Sequence, residues 1–159
     1  MNEEKLNFLK TKFIPLLKKL KGDEKGSWGI LNAQQMAEHF SDSVKISSGK
    51  LIRSQIIEGE MLEKYRAFML SEEPFKENTK NPLMDEKGAP LRHANMEDAI
   101  NELQHELEDF FTAYENDPSL RASNPFFGEL DYAGQVHLLH KHAVHHLKQF
   151  GLIENQVPA

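Results

Sequence analysis

The sequence predicts an all-α fold: a single domain over residues 1–159, built as a four-helix bundle. Three observations predict it. Apolar residues recur at three- and four-residue spacing through several long segments, the period of a helix that buries one face. Three of those segments open on a side chain suited to accept the first free backbone N–H groups, namely Asn32, Asn95 and Asp131. No segment alternates as a strand would and no internal repeat is visible, so long helices have only one another to bury against.

Residues 3–20 carry Leu6, Leu9, Phe13, Leu16, Leu17 and Leu20 on one face, an amphipathic first helix. Pro15 lies inside it and predicts a kink, because proline lacks the N–H for the helical ladder. Lys21-Gly22-Asp23-Glu24-Lys25-Gly26 is a turn-rich linker. Asn32 with Gln35 makes a capping box that starts the second helix near Ala33, with Met36, Phe40, Val44 and Leu51 on its apolar stripe. A further helical piece spans about 58–70 and carries Met61, Leu62, Tyr65, Phe68 and Met69. Residues 71–94 read as irregular, with Pro74, Pro82, Gly88 and Pro90. Asn95 caps a third long helix with Ile100, Leu103, Leu107, Phe110 and Phe111 inward. Pro118 to Leu130 reads as a loop, and Asp131 caps a last helix that stops at Gly151.

Composition narrows the chemistry. The chain has no cysteine, which removes disulfides, thiolate ligands and a cysteine nucleophile. Any metal must be held by nitrogen and oxygen. A net charge of -6 without a basic stripe argues against a nucleic-acid partner. The lysines around Lys10, Lys12, Lys18, Lys19 and Lys21 read as one solvated helix face. No apolar run approaches the roughly 20 residues needed to span a bilayer. The N-terminal residues lack a signal-peptide hydrophobic stretch, so the default expectation is a cytoplasmic protein with no membrane partner.

Five of the eight histidines fall between His137 and His146. Helical phase separates them. With Leu139 at zero and roughly 100° per residue, Val136, Ala143, Leu147 and Phe150 mark the core side. His146 falls near -20° and His142 near -60°, an inward pair at i and i+4 (about one turn apart). His137 falls near 160° with Lys141 and Lys148 and is expected to be solvated; His140 and His145 lie on the flanks (angles about a 100° step). On the second helix, with Met36 at zero, His39 lies near -60°, at the edge of the apolar stripe. His93, in a Pro/Gly loop, and His105, between Gln104 and Glu106, rank below it.

His39, His142 and His146 therefore form a candidate three-histidine metal site in the bundle core. The site constrains topology. His39 is near the start of its helix, and the pair is in the second half of theirs. They meet only if the second and last helices run antiparallel, which needs a long crossover between the second and third. The connection at about 52–94 is long enough.

At these residues the chain resembles the DinB/YfiT-like family of metalloenzymes. The resemblance rests on Leu31-Asn32-Ala33-Gln34-Gln35-Met36-Ala37-Glu38-His39, on His142-Ala143-Val144-His145-His146-Leu147-Lys148-Gln149-Phe150-Gly151-Leu152, and on Phe127-Gly128-Glu129-Leu130. It covers essentially the whole chain. It implies an up-down-down-up four-helix bundle and a divalent metal, nickel or zinc, held by three histidines that map to His39, His142 and His146. It also implies a hydrolase or a transferase using a low-molecular-weight thiol cosubstrate, and it leaves room for a homodimer. Gly134 departs from the bulkier residues usual at that point.

Three neutral imidazoles leave positions open for water or a small-molecule substrate, as at a catalytic metal. A thiol nucleophile would have to come from a cosubstrate, since the chain has none. Gln149, one turn beyond His146, is a candidate to orient a ligand or substrate. Asp42 and His145 are candidates to support the ligands. Trp28, Phe126 and Phe127 are candidates for the pocket mouth, although aromatic residues more often fill cores. Glu38 points away from the stripe, so no general base is assigned. The competing expectation is a non-catalytic metal-binding or dimerisation bundle.

Overall fold

The computed structural model describes residues 1–77 and 90–154. Among them it is mostly helical, with helices α1 (Glu3–Thr11), α2 (Phe13–Leu17), α3 (Ala33–Ser48), α4 (Gly59–Leu70), α5 (Met96–Asn116) and α6 (Tyr132–Gln149). A short antiparallel hairpin pairs β1 (Ala122–Asn124) with β2 (Gly128–Leu130). No helix among the described residues is long and apolar enough to cross a membrane. Of the irregular stretch expected at 71–94, residues 78–89 lie outside the described residues.

The expected first helix is two helices. Pro15 has no N–H to give to the carbonyl four residues back, and the helix is interrupted at Lys12, between α1 and α2. Phe13 and Leu17 after the break stay fully buried with Leu9, so the break turns the apolar face inward along both pieces. The capping box on α3 forms as expected. The Asn32 side chain accepts from Gln35 N–H at 2.8 Å, and the Gln35 side chain accepts from Asn32 N–H at 2.9 Å. This helix is shorter than its apolar stripe. Gly49 takes a left-handed φ of 84° and ends α3 at Ser48, leaving Leu51 outside it. α6 ends where expected, through a Schellman pair: Gly151 N–H returns to the Lys148 carbonyl and Leu152 N–H to that of Leu147.

The hairpin corrects the expectation of a strandless loop at 118–130. Three residues per strand are too few for an alternating pattern to register. Asn124 closes the turn, its side chain accepting from Phe126 N–H and Phe127 N–H.

One large apolar cluster is contributed by α1, α2, α3, α5 and α6, with Phe13, Met36, Phe40, Leu103, Phe110, Leu139 and Leu147 at its centre. α3 with the residues just after it meets α5 with the residues just before it at successive positions: Gln34 with the His93 carbonyl, Lys45 with Glu102, Lys50 with Glu106. The Tyr114 hydroxyl donates to the Ser47 carbonyl further along. α1 meets α6 in the same ordered way, Lys5 at His137 and Phe8 at His140. α3 meets α6 through His39 and Phe40 against His142 and His146. Buried Glu38 fixes the approach to α5, accepting from Arg92 N–H, His93 N–H and Gln34.

α4 has no counterpart in a simple four-helix reading. It lies against α6, where Lys141 Nζ donates to the Phe68 carbonyl at 2.8 Å and sits over the Phe68 ring. A smaller cluster of Met69, Phe127, Leu130 and Leu138 fills the space between α4, the hairpin and α6.

Candidate metal centre

α3 supplies His39 from its second turn, and α6 supplies His142 and His146 from successive turns of one face. One ring nitrogen from each lies within 4.8 Å of the other two. His142 Nε2 and His146 Nε2 are 2.8 Å apart. The His39 ring stands nearly edge-on to both, at centroid distances of 5.2 and 5.7 Å. The buried Phe40 ring stacks on His142 at 4.6 Å and closes the inner side.

Electrostatics keep the three rings uncharged. Burial pushes the His39 pKa down to about 4, and the nearby Asp42 charge only partly opposes it. His142 and His146 lie well below the ordinary imidazole value, first from burial and then from repulsion by the neighbouring imidazoles. Neutral imidazole keeps a lone pair on one nitrogen, which is the form that binds a metal. Tetrahedral bonds of about 2.0–2.1 Å to nitrogen would set ligand atoms roughly 3.3 Å apart. The observed separations, 2.8 Å for the α6 pair and within 4.8 Å for all three, bracket that spacing, and the donor set fits one metal ion.

Gln149 touches the cluster directly. Its Oε1 is 2.7 Å from His146 Nδ1, and its Nε2 donates to the Trp28 carbonyl at 2.8 Å. The backbone of the same residue accepts from Ser27 N–H. The loop before α3 packs so closely here that a Cβ on Gly26 would stand 2.6 Å from Gln149 Cγ, and one on Gly29 2.8 Å from Gln149 Nε2. In the sequence Gly26 stands only as part of a turn-rich linker, and close packing at either glycine is not evident from it. The spacing Gly26-Ser27-Trp28-Gly29 was the available signal.

The remaining candidates scatter. His145 stays beside the centre, its ring edge-on to His146 at 5.2 Å; it also hydrogen-bonds the Phe75 backbone and meets the Trp28 ring edge-on at 5.6 Å. Trp28, Phe75, Val144, His145 and Lys148 line a cavity of about 250 Å³ beside the histidines. Phe75 was not expected there, and it stands edge-on to both His142 and His145. Phe127 is buried in the smaller core cluster and backs Phe75 instead of walling the cavity; Phe126 packs beside it. Asp42 pairs with Arg92. His93 and His105 stand against Glu102 and Asp109, away from the centre.

The solvated face assigned to His137 and Lys141 is a correction. His137 Nε2 donates to the Ser71 carbonyl at 2.9 Å, and its Nδ1 faces Lys5 Nζ. Lys141 is buried under Phe68 and Phe75. The residues of α4 and the turn after it cover the side of α6 that helical phase alone leaves to water. His140, on the flank, is half-buried against Phe8, and burial pushes its pKa down to about 4.

No family model, no curated protein and no solved structure matches this chain.

Proposed function

We propose that the chain is a metal-dependent enzyme of the DinB/YfiT-like kind, in which His39, His142 and His146 hold one divalent cation, zinc or nickel. The observation that carries this reading is the convergence of three uncharged imidazoles, His146 buried and His39 and His142 part-buried, from helices about a hundred residues apart in sequence. Neutral imidazoles whose ring nitrogens converge on one point offer a metal several donors at once. The resemblance in sequence supports the same ligand set.

The reading includes an up-down-down-up four-helix arrangement of α1, α3, α5 and α6. The ordered pairings of α3 with α5 and of α1 with α6 support it, as does the meeting of the start of α3 with the second half of α6.

The chain's own residues divide the work. The three histidines hold the ion and leave further positions open. Gln149 orients His146. Phe40 shields the inner side, so a ligand approaches from the side of Trp28 and Phe75. When bound, the metal supplies an activated water or a bound external thiolate. The cavity lined by Trp28, Phe75 and His145 is the place proposed for a small-molecule substrate, and any thiol comes from a cosubstrate because the chain has no cysteine.

Metal analysis of protein purified without a histidine tag tests the site. Near-stoichiometric metal in the wild type, lost in His142→Ala, is the expected result; equal content in both overturns it. Turnover is then measured across esters, amides and thiol adducts, where activity must disappear in His39→Ala. Activity that survives this change without metal excludes the metal from the reaction.

A further inference from the structure

The amide of Gln149 is oriented by what it touches. Its Nε2 lies 2.8 Å from the Trp28 carbonyl, which can only accept, so the NH2 group faces the loop and Oε1 faces His146. Oε1 can only accept in turn. The hydrogen on His146 therefore sits on Nδ1, 2.7 Å away, and Nε2 carries the lone pair that faces His142. The two hydrogen bonds run in one direction, from His146 through Gln149 to the loop.

The loop is built to hold this amide. Ser27 N–H donates to the Gln149 backbone carbonyl at 2.7 Å. Gly26 and Gly29 leave no room for a Cβ against the Gln149 side chain. Gly29 also has a φ of 81°, open to glycine at little cost. Gln149 itself is almost fully buried, so water does not compete for either bond.

We propose that Gln149 is a positioning residue that fixes His146 in the Nδ1–H tautomer and couples this histidine to the loop carrying Trp28. The inference deepens the metal reading, on which its second consequence rests. The group opposite a ligating nitrogen sets the orientation and basicity of the ring, and its loss lowers metal affinity roughly ten- to hundred-fold.

The tautomer is measured first without metal, from the imidazole nitrogen shifts of isotope-labelled histidine in the wild type, Gln149→Leu and Gln149→Glu. The expected result is Nδ1–H at His146 in the wild type, retained in Gln149→Glu and lost in Gln149→Leu. Zinc titration should then show affinity reduced roughly ten- to hundred-fold in Gln149→Leu and less in Gln149→Glu. Hydrogen exchange of the Ser27 amide should quicken in both variants, because neither can donate to the Trp28 carbonyl. An Nε2–H tautomer at His146 in the wild type overturns the proposal, even if both variants fail to fold. So does an unchanged tautomer in folded Gln149→Leu. A wild type with the Nδ1–H tautomer that takes up no zinc supports the positioning role and overturns the metal reading instead.

Discussion

His137 and His146 lie on one helix, and their ring nitrogens serve different ends. His137 spends both on structure, bridging Lys5 to the carbonyl of Ser71. His146 gives one nitrogen to Gln149 and turns the other toward His142. His137→Ala should therefore lower stability by about 1–2 kcal/mol, the cost of leaving a part-buried carbonyl without its donor, and leave metal content unchanged. Chemical denaturation and metal analysis on the same preparation check both halves. A loss of metal would place His137 in the centre and remove His146 or His142 from it. At this scale the inward pair was legible, since a hundred-degree step needs no tertiary knowledge. The burial of Lys141 was not. An ammonium is read as solvated unless something accepts its protons, and the acceptor is a carbonyl at the end of α4 that sequence spacing cannot bring near.

The same limit operates between elements. Caps are local, so Asn32, Asn95 and Asp131 announced their helices, and each side chain accepts the N–H three residues on. The α4 helix was legible as a helix but not as a lid over α6, because its outer residues Met61, Tyr65 and Leu70 stay exposed and blur its inward face. The loop before α3 was the larger omission, since a glycine needed for close approach looks like one needed for a turn. Two glycines separate these roles. A Cβ on Gly26 meets Gln149 Cγ at 2.6 Å and the Trp28 carbonyl at 2.9 Å, whereas one on Gly59 meets nothing within 4 Å. Gly26→Ala should push the loop from Gln149 and weaken zinc binding about ten-fold, by loosening the group behind His146. Gly59→Ala has only its left-handed φ of 64° to strain, costing about 1 kcal/mol, and should leave zinc binding as it is. Titration of both variants distinguishes close packing from turn geometry; equal zinc affinities would mean that the loop plays no part.

Across the whole molecule, the proposed centre joins elements that the chain alone keeps far apart. His39 precedes the long connection between α3 and α5, and His142 and His146 follow it. A ligand that binds the folded chain and not the unfolded one stabilises it by mass action, about 2.7 kcal/mol at a hundred-fold excess over Kd. For a chain of this size that is a rise in Tm of about 5–10 °C. Adding zinc to chelator-treated protein should produce this rise, and chelation should reverse it. The decisive comparison is His39→Ala. A metal held by the α6 pair alone would tie together two turns of one helix, which are already in register, and would raise Tm little. A metal held by all three pins α3 to α6. Loss of the zinc-dependent rise in both His39→Ala and His142→Ala, with each variant still folded, is the expected result. A full rise surviving in His39→Ala would confine the metal to α6 and remove the reason for an antiparallel α3 and α6 that the histidines first suggested.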